Sequence, residues 1–217
     1  MKTKIGKCLL VLNTALFIIS LSVSFVILFR PFYYYHINYL DIEKTSGYTY
    51  EEIKESYDDV LDYLILNKEF KTGKLKYSEV GKDHFHDCKI LFIINFAILF
   101  ISGLILLIKR KYFKEIKIKN KNISFWSSIL VITMFTIILI ASFIVDFDQV
   151  FDIFHNIFFL GKENWLLNPK TDEIIRILPQ KYFMDCAILV ILLIFIITIT
   201  LIIREIYISK KTNTLQK

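Results

Sequence analysis

Apolar residues in this chain gather into four long runs separated by polar stretches, at 8–29, 88–108, 125–145 and 184–203. Each is close to the roughly 20 residues a helix needs to cross a hydrocarbon core. The only charged residues inside them are Lys89 and Asp185. Both stand at the end of a run, where a side chain reaches the interface at little cost. The first run continues through Val26, Ile27, Leu28 and Phe29 beyond the small residues Ser20, Ser22 and Ser24, and so reads as an uncleaved span rather than a leader. The pattern predicts an all-α integral membrane protein: one domain over 1–217, four transmembrane helices, and loops over 30–87 and 146–183.

The loops carry structure of their own. Thr49 followed by Tyr50, Glu51 and Glu52 has the form of a helix start, and Ile53, Tyr57, Val60, Leu61 and Leu64 follow at helical spacing. An amphipathic helix capping the bundle is expected there. The segment 31–36, Pro-Phe-Tyr-Tyr-Tyr-His, reads as an aromatic belt at headgroup level, and 67–75, with Gly73 and several lysines, as an exposed turn.

Composition agrees with this pattern, at 55% hydrophobic and 16% aromatic residues in a chain of 217. Charge adds orientation. Fourteen basic residues lie before the first run, between the second and third, and after the fourth, whereas the loop 30–87 mixes eight basic with twelve acidic residues and the loop 146–183 four with six. By the positive-inside rule both termini are cytoplasmic and the two long loops extracellular. The net charge of +6 then follows from topology and gives no reason to expect nucleic acid. Cys8, Cys88 and Cys186 form no CxxC pair and read as small apolar fillers.

Candidate chemistry lies in the loops. His84 and Asp87 stand three residues apart just before the second run, so on a helix they share a face where a carboxylate can orient an imidazole. His155 sits in the apolar, aromatic stretch 150–159, followed by Asn164 and Trp165. His36 and Asp41 match the His-x4-Asp spacing of glycerolipid acyltransferases. His84, His86, Asp87 and His155 could also be read as a metal site, which would make a metal-dependent membrane hydrolase.

Two segments carry a resemblance. His84-Phe85-His86-Asp87-Cys88-Lys89 is similar to a His-Met-x-Asp-Val-Lys motif. Residues 154–159, Trp165, then Pro169-Lys170-Thr171-Asp172-Glu173-Ile174-Ile175 and Leu178-Pro179-Gln180-Lys181-Tyr182-Phe183 are similar to a second set, in which Gln180 replaces an acid. Together they resemble the lipoprotein intramolecular transacylases of low-GC Gram-positive bacteria, over most of the chain.

The resemblance implies a cell-membrane acyltransferase with no cofactor. It would move an ester-linked acyl chain from the diacylglyceryl group of a lipoprotein to the α-amine of its own N-terminal cysteine, giving the N-acyl S-monoacylglyceryl form. The partners implied are that lipoprotein terminus and membrane lipids, acted on by a monomer at the extracellular face. His84 is expected as general base oriented by Asp87, with His155 at the oxyanion or leaving group. Trp165, Asn156 and Tyr182 are expected around the substrate, and no metal is expected. A sensor that only binds lipid or protein is the non-enzymatic alternative.

Overall fold

A computed structural model describes residues 2–112, 123–142, 146–159 and 161–214. Among them the chain is helical and contains no strand. The helices in order are α1 (Lys2–Leu28), α2 (Arg30–Tyr39), α3 (Ile42–Ser46), α4 (Tyr50–Leu66), α5 (Glu79–Tyr112), α6 (Ile123–Ser142), α7 (Phe147–Phe158), α8 (Ile174–Ile177) and α9 (Gln180–Thr214).

Three stretches are long and apolar enough to cross a membrane: Gly6–Leu28, Glu79–Lys109 and Gln180–Ile208. Within α5 the charged residues end at Lys89, and an uncharged stretch continues to residue 108. The third run expected from the sequence lies on α6, whose described apolar stretch, Ile123–Ile137, is shorter. Residues 143–145 of that run lie outside the described residues.

The chain, read above as one membrane domain, divides into two compact units. The first comprises Met1–Phe25, Asn95–Ile144 and Ile188–Lys217. Its core is a small cluster of Ala15, Ile18, Val131 and Ile194, with Phe135 and Leu201 packed against it. Most of its other large apolar side chains, including Phe100, Ile137 and Ile203, are exposed, as suits helices that meet hydrocarbon. Polar side chains join the helices instead. Asn13 donates to the Ser102 carbonyl at 3.1 Å, Asn95 to the Ser24 hydroxyl at 2.8 Å, and Ser127 to the Val11 carbonyl at 3.1 Å. Small and polar residues at helix contacts are what a membrane interior favours, because burying leucine against leucine gains little over lipid.

The second unit, Val26–Ile94 with Val145–Ala187, is built like a soluble domain around one apolar core. Helix α4 begins at a capping box. The Thr49 hydroxyl accepts from the Glu52 amide, and the Glu52 carboxylate accepts from the Thr49 amide at 3.0 Å. All five apolar positions predicted for this helix, Ile53, Tyr57, Val60, Leu61 and Leu64, are buried.

The aromatic segment 31–36 departs from its expectation as a belt. It folds as α2 with Pro31 in the first turn, and Tyr33, His36 and Ile37 turn inward. Tyr33 stacks on Tyr57 with centroids 3.7 Å apart and donates to the Ile177 carbonyl at 2.7 Å. Interfacial tyrosine and buried tyrosine share the same letters, and only tertiary partners for the hydroxyl separate them.

The two long loops are fastened together. Asp172, almost completely buried, accepts from the Ser78 amide at 2.8 Å and from the Ser78 hydroxyl at 2.8 Å and 2.9 Å. Glu173 and Lys76 exchange backbone and side-chain hydrogen bonds at 3.0 Å and 2.9 Å. The Ser78 hydroxyl also accepts from the Gly81 amide at 3.0 Å, which caps the start of α5. This helix start carries the first histidine of the candidate site.

Candidate active site

His84 lies in the second turn of α5, before its uncharged stretch, and His155 lies on α7. The sequence places Phe147, Phe151, His155 and Phe159 four residues apart, so they form one stripe along α7 and its end. The His155–Phe159 end of that stripe meets His84 of α5, and Phe151 meets Phe183 of α9. His155 contacts Phe151 with ring centroids 4.1 Å apart and Phe159 at 5.4 Å, while Phe159 also meets His84 at 5.0 Å. The two imidazoles stand 6.0 Å apart by centroid, and both are buried. Trp165 packs on His155 with ring centroids 4.6 Å apart.

Hydrogen bonding sets the chemistry of each ring. His155 Nδ1 lies 2.7 Å from the Phe151 carbonyl oxygen. A carbonyl only accepts, so Nδ1 carries the proton and Nε2 presents a lone pair. His84 Nε2 lies 3.6 Å from the Cys88 sulfur, and its Nδ1 is buried without a protein partner. Burial, then the neighbouring His155, pushes the His84 imidazole down to about 4 against the opposing pull of Asp87. Burial also lowers His155, with the Phe151 carbonyl and Asp152 working the other way. Both rings are therefore neutral at physiological pH.

Asp87 shares a helical face with His84 as the spacing requires, but its carboxylate turns elsewhere. Lys162 donates to it at 2.7 Å and 2.8 Å, and Asn164 at 2.9 Å. An ammonium with an amide is a stronger partner for a carboxylate than a neutral imidazole. Burial raises the Asp87 carboxyl, but these hydrogen bonds and the Lys162 charge outweigh it and hold it below its usual range. Asp87 thus anchors the segment that carries Trp165. A cavity of about 470 Å³ adjoins this anchor, lined by Asp83, His86, Asp87, Lys162, Glu163 and Asn164.

The remaining candidates disperse. Asn156 is exposed on α7. Tyr182 is buried in the apolar core with its hydroxyl 3.3 Å from that of Tyr57, and its neighbour Phe183 faces Phe151 at 6.1 Å. His36 pairs with Asp185 at 3.2 Å rather than with Asp41, which is exposed in a left-handed backbone conformation. His86 is exposed and 3.3 Å from the Tyr63 hydroxyl, so the four residues of the metal reading do not converge. Among the described residues no three His, Cys, Asp or Glu side chains are placed to hold a metal ion. Lys162, Asn164 and Phe159 went unnamed as site residues, and the aromatic period of four along α7 was the signal for Phe159.

Long apolar helices joined to a packed unit that buries two facing imidazoles define a membrane-embedded protein equipped for proton transfer. The model of the lipoprotein intramolecular transacylase family, Lit, matches residues 8–183, and the chain belongs to that family. It is therefore an acyltransferase integral to the membrane. The in meso structure of the membrane-integral transacylase Lit from Bacillus cereus superposes with a TM-score of 0.89 at 27% identity, over 97% of each chain. Two variants of that protein, with one histidine replaced by arginine or by alanine, match with TM-scores of 0.83 and 0.84 over 97% of this chain and 93% and 95% of theirs, also at 27% identity. No curated protein matches.

Proposed function

We propose that this chain transfers the ester-linked acyl chain of a lipoprotein's diacylglyceryl group to the α-amine of the same N-terminal cysteine, with His155 and His84 sharing the proton and oxyanion work. Donor and acceptor belong to one molecule, so positioning supplies much of the acceleration. The amine nitrogen attacks the ester carbonyl, the carbon–nitrogen bond forms, and the bond from the acyl carbon to the glyceryl oxygen breaks. The amine proton ends on that oxygen, and the reaction stays balanced without water or an energy donor.

The buried imidazole pair 6.0 Å apart carries this reading. Its hydrogen bonds favour the reverse of the division of labour expected from sequence. His155, with Nδ1 held by the Phe151 carbonyl and a free lone pair on Nε2, accepts the amine proton and returns it to the leaving oxygen. His84, the more strongly depressed ring, stays neutral and offers Nδ1–H to the developing oxyanion, and the buried, unpartnered Nε1–H of Trp165, on the ring packed against His155, is a second donor. Repulsion between two imidazolium ions this close limits the pair to one extra proton, the one His155 carries during transfer.

Asp87 acts by positioning, through Lys162 and Asn164. Asn156, exposed beside His155, contributes a polar contact to the glyceryl group, and Tyr182 works from the core by holding Phe183 against Phe151. The acyl chains enter along α7, whose Ile153, Phe154, Ile157 and Phe158 are exposed in the manner of an interfacial helix. Four spans with cytoplasmic termini put this site at the extracellular surface, where a monomer meets its lipoprotein. Replacing His155 or His84 with alanine is expected to lower transfer by at least about 10²-fold. Mass spectrometry of the lipoprotein N-terminal peptide reads this directly. Full activity in either variant that inserts normally overturns the reading.

A further inference from the structure

Four buried side-chain nitrogen or oxygen atoms lack a hydrogen-bond partner among the described residues: His84 Nδ1, Asn164 Oδ1, Trp165 Nε1 and Ser128 Oγ. His84 and Trp165 have ring centroids 6.0 Å and 4.6 Å from that of His155, Asn164 directly precedes Trp165 in the chain, and Ser128 lies on α6. Buried polar groups are normally satisfied, so a cluster of exceptions marks a place where a ligand completes the bonding. His84 and Trp165 are accounted for by the oxyanion. Asn164 is not.

The orientation of the Asn164 amide follows from its partner. Asn164 Nδ2 lies 2.9 Å from Asp87 Oδ2, and a carboxylate held ionised by Lys162 can only accept. The NH2 end therefore faces Asp87 and the oxygen faces away, buried and available as an acceptor. Asn164 also lines the 470 Å³ cavity together with Asp83, His86 and Glu163. That polar lining suits the peptide end of a lipopeptide, as the exposed apolar face of α7 suits its lipid end.

We infer that the Asn164 side-chain oxygen receives the substrate's α-amine and aligns it for attack, an inference that rests on the transacylation reading above. A neutral amine has two N–H bonds and one lone pair. Asn164 Oδ1 holds one N–H, His155 Nε2 takes the other as the bond forms, and the lone pair points at the ester carbon. Asp87 thereby contributes at one remove, by forbidding the amide to turn over.

Binding of a non-reactive ligand tests this apart from catalysis. The probe is a lipopeptide whose glyceryl chains are ether-linked, with its α-amine either free or replaced by hydrogen. Wild-type protein is expected to bind the free-amine form about tenfold more tightly than the form lacking it. Asn164→Leu is expected to abolish that preference, so that both ligands bind with the same affinity. Asn164→Ala, which is smaller and easier to accommodate, is read in the same way should the leucine variant not fold. Retention of the preference in either variant, no preference in wild type, or equal weakening of both ligands overturns the inference. Because no acyl group moves in this assay, a failure of the histidine roles leaves the result readable, and the two outcomes stay distinct.

Discussion

His84 is an unusual base or donor because its neutrality is imposed by burial. Its folded value lies near 4 whereas the exposed imidazole titrates near 6.5. The unfolded chain thus binds more protons between those values, and stability is present above about 6.5 and lost as pH falls toward 4. Thermal unfolding in detergent should show Tm dropping from pH 7 to pH 5, and His84→Gln should flatten that drop. Activity should follow a different group. The α-amine attacks only when neutral, so the rate is expected to rise with pH through the amine's range of about 7.7–8.0. Single-turnover rates that stay flat across that range would contradict attack by the free amine.

Residues show where legibility ended. His84 and His155 were visible because motif and aromatic surroundings both marked them, and they meet. The Asp87 carboxylate was visible as a helical neighbour of His84, but its choice of Lys162 and Asn164 depends on a loop contact 75 and 77 positions away. Short-range spacing cannot report such a partner.

At the scale of elements, α4 was readable because cap, acidic first turn and apolar spacing all act within one segment, and the three runs on α1, α5 and α9 because hydrocarbon demands length. Helix α2 was not, since an aromatic run serves equally at an interface or in a core and its tyrosine partners lie on α4, α8 and α9. The start of α5 is the most constrained of these elements. A β-carbon on Gly81 would stand 2.1 Å from Asp172 Oδ1. Gly81→Ala is therefore expected to lower stability by roughly 1–3 kcal/mol through overpacking and to reduce acyl transfer through displacement of His84 one turn on. Thermal unfolding and transfer rate, measured on the same preparation, check both effects.

At the scale of the whole molecule, the chain divides into a unit of apolar helices and a second packed unit that carries both histidines. The sequence shows apolar runs and mixed-charge loops but reads as one domain, and the division into two units comes from packing between distant segments. The topology proposed from lysine and arginine is open to direct measurement. A membrane-impermeant amine reagent on intact cells should label the exposed Lys68 and Lys74 of the first long loop, and should leave the lysines of 109–121 unlabelled until the membrane is opened. Labelling of the second set in sealed cells would invert the proposed orientation.

The close approach of Gly81 to Asp172 also bears on how such a sequence can drift. Any larger residue at 81 requires a shorter one at 172, yet shortening 172 first strips Ser78 of its acceptor and unties the two loops. Each single step is harmful before the second arrives. The pair is a locked doorway in sequence space, and descendants of this chain should either keep both residues or exchange them together.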